Sequence, residues 1–141
     1  MYLRHAHHAD CHSLDDSWNF AIELLPHAES LSSHAPRVIG LIGAVRAPEI
    51  GYMFNADYWG HGYATEALRA FIPLFFAHYS GGAHMDYEYA EALTDTENVN
   101  SHNVLLKAGF VLHEKREQDF ENPVLGIRDT LVYRIGRVTA P

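Results

Sequence analysis

The sequence predicts an α+β fold, with strands and two main helices in the order β-β-β-α-β-α-β-β. Three observations predict it. Before residue 55 the chain carries three strand-like segments separated by turn-forming stretches, as in hairpins. From Tyr63 the apolar residues recur at helical spacing. A shorter helical segment is framed by Asn98 and Gly109, with one strand before it and two after.

Residues 1–17 show no sustained period and read as an irregular, histidine-rich start. Trp18, Phe20, Ile22 and Leu24 then alternate with Asn19, Ala21 and Glu23, the pattern of a half-buried strand. Residues 26–36 form a polar connector suited to a hairpin with a loose tip. Residues 37–45 are the returning β-branched strand, Ala47-Pro48 breaks it, and residues 49–54 form a third strand. Residues 55–62 hold Asn, Asp and two glycines and read as irregular. In the helix that follows, Ala64, Leu68, Phe71, Ile72 and Phe75 line one face, while Glu66 and Arg69 occupy another. Past Arg69 the helix is apolar nearly all round, which predicts burial or an interface. Pro73 lacks a backbone donor and predicts a bend. Ser80-Gly81-Gly82 ends the helix, and residues 85–93 read as a strand. Asn98 caps the second helix and Lys107-Ala108-Gly109-Phe110 closes it. Residues 110–113 and 130–135 are two further strands joined by a long polar loop over residues 114–129.

With 141 residues, 48% of them apolar and 20% charged, the chain is sized and composed for a single globular domain, 1–141. Its net charge of −8 argues against a nucleic-acid backbone as partner, since that binding is driven by neutralising phosphates. Its longest apolar runs, residues 38–45 and 70–77, fall short of the ~18 residues of a membrane span. No secretory signal pattern opens the chain, so the expectation is a cytoplasmic protein with no membrane partner. Cys11 is the only cysteine and has no intrachain partner. Eleven histidines, fully protonated, would carry the charge from −8 to +3. His5, His7, His8 and His12 lie near Asp10 and Cys11, but their spacing matches no zinc pattern, and no metal is expected.

The informative stretch is EIGYMFNADYWGHGYAT, residues 49–65: strand, glycine turn, helix start. Backbone N–H groups are unpaired where a helix begins, and the helix dipole adds positive potential there. Glycine at 60 and 62 removes the Cβ atoms that would hold a phosphate away from those donors. Backbone alone can thus bind a diphosphate in an acidic chain. A tight turn that merely needs glycine is the other reading. The chain lacks the Lys-Ser or Lys-Thr of a P-loop after Gly62, and Thr65 stands where the dinucleotide fingerprint needs a third small residue.

The second signal is ENVNSHNVLLKAGF, residues 97–110. On a helix starting after Asn98, Ser101, Val104, Leu105 and Ala108 share one inward stripe. A buried hydroxyl needs a partner. Either Ser101 bonds back to a carbonyl one turn earlier, or it is presented to a ligand lying against the helix.

Together, YWGHGYATEAL and, about thirty residues later, ENVNSHNVLLKAGF resemble the GNAT superfamily of acyl-CoA-dependent N-acyltransferases, over residues 18–137. The branch they resemble is the ribosomal-protein N-terminal acetyltransferase type. The resemblance implies a mixed, mostly antiparallel sheet with two main helices, and acetyl-CoA as co-substrate. It implies that the CoA diphosphate rests on backbone amides of Trp59, Gly60, His61, Gly62, Tyr63 and Ala64, with Thr65 opening the helix. Asn98 would contact the pantetheine region and Ser101 would protonate the leaving thiolate. The strand at 49–54 would splay from its neighbour and hold the pantetheine arm. A family member also begins with a strand and one or two helices, part of the acceptor wall; residues 1–17 are too few for both, so the fold is expected to be N-terminally shortened.

The implied reaction is direct acetyl transfer from the thioester to a primary amine, of a protein N-terminus or a small molecule. A backbone N–H near Met53 or Phe54 would polarise the carbonyl. Glu49, at the strand start, is the first choice for a base, through water; the other reading is a solvated strand-end carboxylate. Tyr87, Glu88 and Tyr89 are candidates for the acceptor side. Rival readings are a non-catalytic or partner-dependent acyl-CoA-binding module and a histidine-rich metal-binding protein. The missing opening strand and the apolar second half of the first helix predict a homodimer.

Overall fold

The computed structural model describes residues 2–5, 18–25, 37–82 and 85–138. A seven-stranded sheet in the order β1-β2-β3-β4-β5-β7-β6 forms its frame. The strands are β1 Tyr2–His5, β2 Trp18–Leu24, β3 Arg37–Arg46, β4 Glu49–Phe54, β5 Tyr89–Asp95, β6 Val111–Asn122 and β7 Gly126–Gly136. Helix α1 spans Tyr63–His78 and α2 spans Val99–Lys107. Every neighbouring pair is antiparallel except β4 and β5. The sheet is thus mixed and mostly antiparallel, as expected.

The alternation of β2 buries Phe20 and Ile22, and β3 adds Ile39, Ile42 and Ala44. Against this floor α1 lays Ala67, Leu68, Phe71, Ile72, Phe75 and Phe76. The nearly continuous apolar run of α1 resolves into one buried face, because Pro73, Leu74 and Ala77 are exposed. Pro73 sits within the helix on that outer face, and its missing N–H leaves the Arg69 carbonyl without a helical donor. Arg69 itself donates to the Lys107 carbonyl at 2.7 Å and ties α1 to the end of α2.

Four expectations are corrected. Tyr2–His5 is a strand, paired antiparallel with β2, so an opening strand is present where an irregular start was expected. A four-residue strand is too short to show a period. Ala56–Tyr58 forms a 3-10 turn inside the stretch read as irregular, started by Asn55 Oδ1 accepting from the Asp57 amide. The strand expected at 85–93 begins at Tyr89 and runs on to Asp95; Tyr87 instead packs beside Phe75 and Tyr79. The polar loop expected over 114–129 is most of a long hairpin of β6 and β7, turned at residues 123–125. Ten of the twelve β6 residues are exposed, so neither face carries the apolar alternation that would have marked a strand. Asn122 Oδ1 accepts from the Val124 and Leu125 amides and closes that turn.

The connector at 26–36 and the histidine and cysteine cluster at 7–12 lie outside the described residues. Among the described residues no group of His, Cys, Asp and Glu is placed to hold a metal ion. No helix among them is long and apolar enough to cross a membrane.

Candidate functional site

β4 and β5 run parallel and share one register pair, Glu49 with Glu91, beside which the Glu91 amide donates to the Pro48 carbonyl at 2.9 Å. Beyond it the strands part. The gap opens into a cleft of about 930 Å³ walled by β4, the glycine turn, the start of α1, the end of β5 and α2. Just past β4 the Asn55 amide donates to the Ile39 carbonyl of β3. Groups facing one neighbour recur at every second residue, so the Met53 and Gly51 amides face β3 while those of Phe54 and Tyr52 face the cleft. The Phe54 carbonyl faces the same way and accepts the Trp59 indole N–H at 3.1 Å.

At one end stands the glycine turn. Gly60 and Gly62 both have φ +78°, the left-handed region that favours glycine, and Gly62 is the residue before α1. A Cβ at either would meet no atom within 4 Å, so the space over the turn is open. No side chain caps the helix, and its first hydrogen bond runs from the Glu66 amide to the Gly62 carbonyl. The amides of Tyr63, Ala64 and Thr65 therefore have no acceptor in the helix. The Trp59 amide is different: it donates to the Ala56 carbonyl at 3.2 Å, so the free donors begin at Gly60. The His61 ring turns back to the Trp59 carbonyl and stacks on Tyr63, which leaves only its backbone at the turn.

On the opposite wall Asn98, which lines the cleft, caps α2: its Oδ1 accepts from the Ser101 amide at 3.1 Å. Ser101 Oγ meets the Tyr52 hydroxyl at 2.6 Å. This is neither of the two arrangements the sequence left open. Burial pushes the Tyr52 phenol up, and the Ser101 bond pulls the other way and only partly offsets it. Thr94 Oγ1 is buried in the β5 wall and has no hydrogen-bond partner among the described residues. An orphaned hydroxyl there suits a polar ligand or a water.

The remaining acid of the wall is Asp95. Arg128 of β7 grips it with two bonds of 2.8 Å and also reaches Glu97 at 2.9 Å. That guanidinium, with the Glu97 amide, holds the Asp95 carboxyl down to about 2. The Asp95 carbonyl also meets His102 Nε2 at 2.9 Å, so β5, β7 and the start of α2 are joined at one point. Asp95 is thereby a brace. Glu49 lies outside the cleft wall, at the end of β4 where the strands still pair. Tyr87 and Glu88 precede β5 and Tyr89 opens it, all outside that wall as well.

The structure thus brings together Met53, Phe54, Trp59, Gly60, Gly62, Tyr63, Ala64, Thr65, Asn98 and Ser101. Sequence reasoning missed Tyr52, Thr94 and the Asp95–Arg128 brace. Period-two alternation places Tyr52 on the face of Ile50 and Phe54, but no local signal links it to Ser101, 49 positions away.

Residues 2–111 match the family model of the acetyltransferase (GNAT) domain. No curated protein sequence matches the chain. Among solved structures, a GNAT-family acetyltransferase from Bacillus anthracis superposes with a TM-score of 0.65 at 24% identity, over 84% of this chain and 65% of that one. The ribosomal-protein-S5-alanine acetyltransferase of Vibrio fischeri gives 0.64 at 17% identity, over 85% and 61%. The microcin C7 self-immunity acetyltransferase, solved with acetyl-CoA and AMP, gives 0.63 at 18%, over 86% and 61%. At these identities the likeness is one of fold, and the chain spans less than two thirds of each of these proteins.

Proposed function

Because the chain belongs to the GNAT acetyltransferase family, we propose that it transfers an acetyl group from acetyl-CoA directly to a primary amine. The acceptor class we assign is a protein N-terminus, as in the ribosomal-protein branch, or a small-molecule amine. One observation carries the reading: β4 and β5 part after a single pair, and the cleft between them ends on a ring of free amides. Acetyl-CoA supplies the activated acyl group as a thioester.

In this reading the amides from Gly60 to Thr65 hold the diphosphate, in the field of α1. The unladdered edge of β4 and the Asn98 amide hold the pantetheine arm. Of the two candidate carbonyl donors, Phe54 faces the cleft and Met53 faces β3, so Phe54 is the donor we assign. Ser101 gives a proton to the departing sulfur. Glu49 reaches the amine only through water from its place outside the wall. An α-amine, with a pKa of about 8 against ~10.4 for lysine, needs little help from such a base.

A second reading has support of its own: among the described residues the one carboxylate in the cleft wall, Asp95, is held by Arg128, so they present no free carboxylate base there. That suits a module that binds acyl-CoA without turning it over. Calorimetric titration with acetyl-CoA beside thiol release over a panel of amines separates the two. Binding with amine-dependent release supports transfer; binding without release from any amine supports the second reading. We also propose a cytoplasmic homodimer, paired along the exposed twelve-residue edge of β6 with its outward Val111 and Leu112. Light scattering at micromolar concentration tests it, and a monomer mass overturns it.

A further inference from the structure

Tyr52 and Ser101 come from a strand and a helix that meet only across the cleft, and their hydroxyls stand 2.6 Å apart. We propose that Tyr52 is a positioning residue for the transfer: its phenol donates to Ser101 Oγ, frees the serine hydrogen for the cleft and makes the serine a better acid. The inference rests on the acetyl-transfer reading above.

The sense of the bond follows from the chemistry of the two groups. A phenol is a stronger acid than an aliphatic alcohol, and its lone pairs are partly delocalised into the ring, so it is the better donor and the poorer acceptor. Burial favours the neutral phenol further, so Tyr52 keeps its proton through the neutral range. Ser101 Oγ then serves as acceptor, and its own hydrogen needs a separate partner. A helical serine ordinarily gives that hydrogen to a carbonyl one turn back. The Ser101 hydroxyl makes no such bond among the described residues, where the Tyr52 hydroxyl is its one partner. The hydrogen is left for an acceptor in the cleft, where the thioester sulfur lies in the proposed complex.

The arrangement also acts on the proton itself. A donor aimed at Oγ stabilises the negative charge that grows there as the serine lets its proton go. Overall, the amine nitrogen bonds to the carbonyl carbon, and the carbon–sulfur bond breaks with its electron pair on sulfur. Ser101 passes one proton to the sulfur and is restored by the proton that the nitrogen gives up. Tyr52 keeps its own proton throughout. Nothing beyond amine and thioester is consumed.

The test is a double-mutant cycle on the full chain, with thiol release measured at saturating amine. Tyr52→Phe keeps the ring and removes only the hydroxyl, so the fold survives, which thermal melting checks. We expect kcat to fall about tenfold, with the KM for acetyl-CoA within about twofold. In the Ser101→Ala background the same change should have no further effect on kcat, because the group it acts through is gone. Independent, additive losses would overturn the inference, as would an unchanged kcat with only a lowered melting temperature. Wild-type protein that binds acetyl-CoA but shows no thiol release dependent on any amine of the panel overturns the acetyl-transfer reading itself, whereas active wild type with an equally active Tyr52→Phe overturns this inference alone.

Discussion

The α1 end of the molecule and the β6–β7 hairpin belong to one sheet and are held by different forces. Under α1, six side chains are buried against β2 and β3, with Leu68, Phe71 and Phe75 fully enclosed. Burial of that kind is non-directional and large per residue. The hairpin has ten exposed residues of twelve in β6, and Val124, Leu125 and Ile127 at its turn face solvent. Ladder hydrogen bonds and surface ion pairs such as Lys115 with Asp129 hold this outer part, while the rest of β7 buries Val132 and Tyr133. From this outer part Arg128 grips Asp95 of the cleft wall. The difference teaches where each kind of change should be felt: the α1 face carries much of the stability, and the outer hairpin grips the cleft wall through one cation.

The largest expected effect is on the core. Phe71→Ala should cost about 3–5 kcal/mol in urea unfolding, and Ile127→Ala in the hairpin should stay within about 0.5 kcal/mol. Similar losses at the two sites would break the comparison and mean that the hairpin is packed against something in solution.

Next comes the turn that opens α1. Gly62→Val forces a β-branched residue to φ +78°, while Gly62→Asn places there a residue that tolerates the left-handed region. Calorimetry should find acetyl-CoA affinity reduced at least about tenfold in the valine variant and largely kept with asparagine. Equal affinities in wild type and valine variant would remove the turn from the binding site.

The brace sharpens the comparison through pH. Arg128 lowers the Asp95 pKa from its ordinary 3.8 to about 2. A carboxyl held down in the folded state stabilises it above the unfolded pKa and loses that contribution as pH falls through the folded one. Arg128→Met should therefore melt at a lower temperature than wild type at neutral pH, and the gap should narrow between pH 4 and pH 2. A gap independent of pH across that window would mean that Arg128 acts by packing alone.

Smallest is Glu49→Gln, outside the cleft wall. Turnover of an α-amine acceptor should change by less than about threefold. A loss of a hundredfold would restore Glu49 as the base and require water to carry the proton along β4.

Local physics in the sequence determined α1, α2, the glycine turn and strands β2 to β4. Each is specified within a few residues: the alternation of Trp18 to Leu24, the Asn98 cap, glycine where φ is positive. Most of the cleft wall followed, because a helix start carries its own free amides wherever it lies. The tertiary structure alone decided the rest. Strand β1 exists because β2 offers an edge, and β6 exists because β7 offers a ladder; neither carries a period of its own. The Tyr52–Ser101 bond and the Arg128–Asp95 grip join residues 49 and 33 positions apart. Whether a hydroxyl turns to its own helix or to a strand across a cleft depends on which partner packing brings within about 3 Å, and spacing along the chain does not encode that distance.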